Sequence, residues 1–162
     1  MAANITVQRM TIKDARACWE LDQRCFTDGE AYDLETFQYL LTNPQVVARK
    51  VELADGTMIG FAVGMLEPGA VGHVISVGVA PEWRRRGIGR LLMGEIERGF
   101  MKRGATITRL EVRTGNRPAQ RLYVKLGYTI TERLPHYYAN GDDALVMVKS
   151  LPVRRSFWRF RH

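Results

Sequence analysis

A chain of 162 residues, 46% hydrophobic and 25% charged, can bury one real core and needs no second domain. It holds no apolar run near the ~20 residues of a membrane span, and its start, Met-Ala-Ala-Asn-Ile-Thr, lacks the regions of a secretion signal, so the expected location is cytoplasmic. The net charge of +7 suggests nucleic acid until it is located, because five of the basic residues stand from Lys149 onward with no acid among them, leaving +2 elsewhere.

In chain order, Ile5 to Met10 reads as a strand, and Thr11-Ile-Lys-Asp14 opens a helical stretch with Ala15, Cys18, Trp19, Leu21 and Asp22 on one narrow face. Cys18 and Cys25 have neither Cys-x-x-Cys nor Cys/His metal spacing and read as buried thiols rather than a disulfide; no metal is implied. Residues 26–33 are turn-rich, and a second helix over Leu34 to Leu41 ends at Asn43-Pro44. Val46 to Leu53 and Met58 to Met65 read as strands joined by the hairpin signal Ala54-Asp55-Gly56-Thr57. Val74 to Val79 follows as a central strand, apolar on both faces except at Ser76. Gly78 within it suggests a bulge or a close backbone approach by a ligand.

Then come Arg84, Arg85, Arg86, Gly87, Ile88, Gly89 and Arg90, directly before a helical pattern of Ile88, Leu91, Leu92, Ile96 and Phe100. Glycines admit an anion to the backbone, a helix N-terminus offers unpaired N–H groups, and arginines add charge, so this is a phosphate cradle. It is neither common nucleotide loop: the third glycine of a dinucleotide fingerprint is replaced by Leu92, and no Gly-x-x-x-x-Gly-Lys-Ser/Thr occurs.

In the strand Thr108 to Arg113, Leu110 and Val112 point one way and Arg109, Glu111 and Arg113 the other; alternation alone makes Glu111 a solvent-facing carboxylate or an arginine's partner. A helix capped by Asn116 accepts Pro118 in its first turn and stops at Gly127, its apolar face being Ala119, Leu122, Tyr123 and Leu126. Tyr123 there reads equally as a core tyrosine whose hydroxyl needs a partner. Asn140-Gly141 marks a turn before a closing strand, Ala144 to Val148, and Tyr137 and Tyr138 beside it suit cross-strand packing. His73 and His136 are lone histidines without an assigned role. In the tail, residues 152–162, Phe157, Trp158 and Phe160 interleave with arginines, a composition suited to RNA, an acidic protein or a membrane surface, or to packing as a last segment.

Two segments carry a family resemblance. Arg84-x-x-Gly87-x-Gly89, after a strand ending Val-Ala-Pro, resembles the pyrophosphate loop of the GNAT acetyltransferases. Residues 110–127, Leu-Glu-Val-Arg-Thr-Gly-Asn-Arg-Pro-Ala-Gln-Arg-Leu-Tyr-Val-Lys-Leu-Gly, resemble a second signature, that of the ribosomal-protein alanine N-acetyltransferases and of archaeal and eukaryotic N-terminal acetyltransferases. The resemblance runs from Val74 to Leu151, with residues 1–72 similar in outline. It implies an α/β GNAT fold over residues 1–151: a mixed central β-sheet flanked by α-helices, whose splayed central strand binds acetyl-coenzyme A. The backbone of Val77, Gly78 and Val79, the loop from Arg84 to Arg90, Asn116 and Tyr123 would hold that cosubstrate. Glu111 would be the general base and Tyr123 the general acid, with Tyr137 and Tyr138 holding an acceptor peptide. The chain departs from these relatives at Asp28-Gly-Glu-Ala-Tyr32, where they carry a Pro-Trp or Pro-Tyr segment. Phe26 and Tyr32 would form an apolar pocket there, and Glu30 would attract an ammonium.

The implied acceptor is a protein N-terminus, foremost that of a ribosomal protein, since an α-amino group of pKa about 8 is neutralised more easily than a lysine of about 10.4. Lysine side chains and small amines remain as alternatives, and so does a ribosome- or RNA-binding module with a relic coenzyme site. A covalent acyl-cysteine is not expected, because neither cysteine has a histidine in a recognisable arrangement.

Overall fold

The apolar alternation of the middle of the chain and the helical spacing on either side of it assemble into one sheet with helices on both faces. The computed structural model describes residues 4–27 and 29–153. The strands are β1 (Ile5–Arg9), β2 (Val46–Leu53), β3 (Met58–Glu67), β4 (Val71–Val79), β5 (Ile107–Arg113), β6 (Thr129–Leu134) and β7 (Ala144–Ser150). The helices are α1 (Ala15–Cys25), α2 (Leu34–Thr42), α3 (Ile88–Lys102) and α4 (Arg117–Lys125). The sheet order is β1-β2-β3-β4-β5-β7-β6, antiparallel except for the parallel pair β4–β5. This is the mixed sheet expected of a GNAT fold. Arg154 to His162 lie outside the described residues, so the tail expectation is not met or refused there.

Local chemistry sets several boundaries. The first helix starts later than its pattern suggests, because Thr11 and Asp14 close a capping box around a short 3-10 turn: Thr11 N–H donates to Asp14 Oδ2 (2.8 Å) and Lys13 N–H to Thr11 Oγ1 (3.3 Å). Asp33 caps α2 by accepting from the Thr36 N–H at 2.8 Å, and Asn116 caps α4 by accepting from the Ala119 N–H at 3.2 Å. The Asn140-Gly141 turn sits inside the longer connection 135–143 rather than closing a tight hairpin.

A β-bulge decides how β4 faces its neighbours. Val63 pairs with Ser76 but Gly64 pairs with Val74, so Ile75 is the extra residue. Before the bulge, Gly72 meets Phe100 of α3; after it, Gly78 meets Phe61 and Cys25, and Ser76 meets Asp22 of α1. Gly78 is therefore not the bulge, and the space beside its Cα is filled by Phe61 and Cys25. Nor is β4 buried throughout, since its residues alternate between buried and half-buried, and the bulge moves the buried set from the α3 face to the α1 face.

The core on the α3 side is built from Leu92, Met93, Ile96 and Phe100, and on the other side from Phe37 packed edge-to-face on Phe61 at 6.0 Å. A Cβ at Gly72 would stand 2.3 Å from Phe100 Cδ2 and one at Gly64 would stand 2.3 Å from Phe100 Cζ, so both strands depend on glycine to admit that ring. Gly72→Ala is expected to destabilise by roughly 1–3 kcal/mol through overpacking, and adding Phe100→Leu to recover part of the loss. Denaturant melts of the two variants measure both effects.

Candidate active site

The parallel ladder between β4 and β5 lasts only from Val71↔Ile107 to His73↔Arg109. Beyond His73 the strands part, and a cavity of about 140 Å³ opens between them. Val74 to Val77, Leu110 to Arg113, Asn116, Ala119 and Tyr123 line it, with Phe26, Glu30, Tyr32 and Tyr138 closing its outer side. Thus Glu111, Tyr123, Asn116, Val77, Phe26, Tyr32 and Tyr138 are brought together as their sequence positions suggested. Gly78, Val79, Tyr137 and the basic loop fall outside this lining.

Glu111 is not the solvent-facing carboxylate that alternation describes, its side chain being only 13% exposed. Its Oε2 lies 2.7 Å from His73 Nε2, while His73 Nδ1 lies 2.9 Å from Glu67 Oε2 and Arg109 donates to Glu67 Oε1 at 3.0 Å. Burial draws the His73 pKa down, but the hydrogen bond and charge of Glu111, with Glu67 adding to them, overcome it and hold the imidazole above its usual value. Both ring nitrogens face acceptors, an arrangement only the imidazolium satisfies completely. The sequence assigns His73 no role, since Glu111 stands 38 residues away along the chain and Glu67 comes from the neighbouring strand.

Two neighbouring tyrosines differ sharply. Tyr128 is fully buried and donates to Glu97 Oε2 (2.8 Å), while Lys149 Nζ donates to Glu97 Oε1 (2.7 Å); Tyr128 is a structural phenol. Tyr123, edge-on to it at 5.8 Å, is shifted by burial alone, which pushes its pKa up to about 12. Its hydroxyl stays protonated at neutral pH and bonds to no other described residue, as a proton donor in a cleft requires.

At the far end of β4 the chain makes a 3-10 turn, Pro81–Trp83, and passes through positive φ at Arg85 (63°) and Gly87 (80°) into α3. Gly87 is the N-cap and supplies no side chain to the first N–H groups of this 15-residue helix. Those groups are left for an anion, with Arg84, Arg85, Arg86 and Arg90 exposed around them. Arg84 Nε is tied to the Val79 carbonyl (3.2 Å), which also accepts from Cys25 Sγ (3.3 Å), and the Arg86 guanidinium lies 4.6 Å over the Trp83 ring. Gly89 packs toward α4, where a Cβ would meet Leu122 Cδ2 at 3.4 Å, an ordinary contact distance. A wedge beside one stretch of β4 and an uncapped helix N-terminus beyond that strand's end fit an extended ligand with phosphates at one end.

The outer walls are tied together by Arg113. It pairs with Glu30 of the loop after α1 (3.2 Å) and Asp142 of the loop after β6 (3.3 Å), and lies 5.4 Å from the Tyr138 ring. Glu30 thus meets a protein cation before any substrate ammonium. Asp22, fully buried on α1, holds the same wall by accepting from the Tyr32 N–H at 2.8 Å. Both cysteines are free thiols, pushed up in pKa by burial and so poor nucleophiles. Among the described residues no cluster of His, Cys, Asp or Glu is arranged to hold a metal, and no helix is long and apolar enough to cross a membrane.

Comparison with known proteins agrees with this geometry. The profile of the Acetyltransferase (GNAT) family matches residues 15–128. The chain belongs to that family. An uncharacterized N-acetyltransferase of Methanocaldococcus jannaschii is 32% identical over 148 residues, covering 90% of this chain and 92% of its own. The N-alpha-acetyltransferase RimI of Mycobacterium tuberculosis is 32% identical over 151 residues, covering 88% and 90%. Among solved structures, Ard1 from Thermoplasma volcanium superposes with a TM-score of 0.82 at 27% identity, covering 91% of this chain and 98% of its own. The ribosomal-protein-S18-alanine N-acetyltransferase of Escherichia coli shares the fold with a TM-score of 0.83 at 24% identity, covering 96% and 99%. This chain is thus a GNAT N-acetyltransferase by family, and its fold is the one those structures share.

Burial raises the Asp22 pKa from 3.8 to about 6, against the hydrogen bonds from Tyr32 and Ser76. A carboxyl raised on folding contributes stability that is full below pH 3.8 and lost as pH rises through about 6. Asp22→Asn, which keeps an acceptor for Tyr32, is expected to be more stable than the natural protein at pH 8, by up to about 3 kcal/mol. The advantage should shrink as pH falls below 6; thermal melts across pH 4–8 check it.

Proposed function

We propose that this acetyltransferase moves the acetyl group of acetyl-coenzyme A to the α-amino group of a protein N-terminus. The observation that carries this reading is the wedge between β4 and β5, which gathers Glu111 and Tyr123 between Phe26, Tyr32 and Tyr138, while the far end of β4 runs on to the uncapped N-terminus of α3. The Nα-acetyltransferase names of relatives above 30% identity support the acceptor class, and the E. coli neighbour makes a ribosomal protein the first acceptor to try.

In this reading the pyrophosphate lies on the N–H groups of 87–90, with Arg84, Arg85, Arg86 and Arg90 around it and Asn116 beside the pantetheine arm. The arm follows the β4 edge at Val77 to Val79, whose backbone groups there have no β5 partner. The peptide enters between Phe26 and Tyr32 on one wall and Tyr137 and Tyr138 on the other. Its neutral amine attacks the thioester carbonyl, and the proton it loses goes to Glu111, directly or through water, while His73 keeps that carboxylate aimed. As the carbon–sulfur bond breaks, the Tyr123 hydroxyl gives its proton to the departing thiolate, a role its open, protonated hydroxyl suits although burial makes it a weaker acid. No acyl-enzyme is formed.

Mass spectrometry of two peptides tests the acceptor. One has a free N-terminus and no lysine, the other a blocked N-terminus and an internal lysine. Acetylation of the first alone is expected; modification of the second alone would move the activity to lysine. For the chemistry, Tyr123→Phe and Glu111→Gln should each lower kcat by about 10²–10⁴-fold with acetyl-coenzyme A affinity nearly unchanged. Full turnover by Tyr123→Phe at all pH values would remove the acid assignment.

A further inference from the structure

A second cavity, of about 350 Å³, opens where β1 ends and β2 begins. It lies beside the last residues of α3, so the length of that helix, about 20 Å, separates it from the phosphate loop. Arg9, Arg49, Lys102 and Arg103 line it together with Met10, Leu41 and Val47, and no carboxylate is among its lining residues.

The charges there are arranged at a cost. Arg9 and Arg49 are direct partners in the β1–β2 ladder, and like charges placed opposite one another repel. Arg49 cannot swing away freely: its Nη1 donates to the Ala48 carbonyl at 2.9 Å, and its guanidinium lies so close to α3 that a Cβ on Gly99 would come within 3.1 Å of Nη2. Burial and Arg9 both disfavour its charge; Glu95 alone offsets them, and Glu95 is ion-paired with Arg98. Arg103 is fixed by donating to the Val46 and Pro44 carbonyls. An edge strand and a helix end thus hold cations around an apolar floor without a counter-charge in the lining.

We propose that this cavity binds a small phosphorylated molecule, its phosphate held between Arg9 and Arg49 and its body resting on Met10, Leu41 and Val47. A phosphate dianion matches two guanidinium forks in charge and in the spacing of its oxygens, where a single carboxylate matches one. The cavity's concavity and size suit a small molecule. The shared chemistry is a phosphomonoester, whether free phosphate or a phosphorylated metabolite supplies it.

The test uses the full chain saturated with acetyl-coenzyme A, so that the phosphate loop is occupied, at constant ionic strength. Inorganic phosphate and glycerol 3-phosphate are titrated by calorimetry and thermal melting. Saturable binding is expected, at least tenfold weaker in Arg9→Gln and in Lys102→Gln, with peptide acetylation by both variants unchanged. Without added anion, Arg9→Gln should melt no lower than the natural protein, because a repulsion has been removed. Shifts no larger than chloride produces, or equal in the natural protein and Arg9→Gln, would overturn the site. An Arg9-dependent affinity for a uridine oligonucleotide above that for either phosphate would assign the face to nucleic acid and overturn the small-molecule reading.

Discussion

The early parting of β4 and β5 is the constraint on which the molecule's chemistry depends. A parallel pair that ran its full length would bury its backbone groups in the ladder and leave no interior opening. Here pairing ends at His73↔Arg109, and the last paired residue of β4 is itself part of the charged chain Glu67–His73–Glu111. That chain spans β3, β4 and β5 at the fork, binding the strands by ion pairs where the ladder gives out. The same contacts orient Glu111, so the device that closes the fork also positions its carboxylate.

The bulge at Ile75 is the second half of this arrangement. Because side chains alternate along a strand, one extra residue exchanges the faces of all that follow. Ser76 and Gly78 thereby turn toward α1, where Asp22 and Phe61 receive them, and Val77 takes its place in the cleft lining. Without the bulge, Val77 would face α1, and Ser76 and Gly78 would turn away from Asp22 and Phe61. The strand that carries the cleft is thus irregular at the position where regularity would spoil it.

What could be read from the chain follows from whether the signal is local. Helical spacing in Ile88 to Phe100, alternation in Thr108 to Arg113, and the Gly-rich basic loop each state their structure within a few residues, and the elements formed near those positions. The strand β6 escaped because Thr-Ile-Thr-Glu-Arg-Leu is exposed along nearly its whole length and has no buried face to announce. The bulge escaped because it is defined by pairing with β3, and the ion pairs of His73 and Arg113 because their partners come from distant strands and loops. Asp22 is the instructive case: a carboxylate on an otherwise apolar helix face was visible in the sequence, but its acceptor role toward the Tyr32 N–H required the loop's path.

Tyr123 and Tyr128 show why residue type alone could not settle the site. Both phenols lie beside the same sheet, one helix turn and a loop apart, and burial raises the pKa of each. Tyr128 has its hydroxyl bonded to Glu97 and Thr108 and its ring beneath Lys149, so its proton is committed to the core. Tyr123 is less enclosed, and its hydroxyl makes none of those bonds. The residue is half-buried and its oxygen is not among the buried atoms without a hydrogen bond, so the hydroxyl stands open to the cleft. Water or a ligand in the cleft is left to bond that hydroxyl, and its proton, unlike that of Tyr128, is not committed to the core.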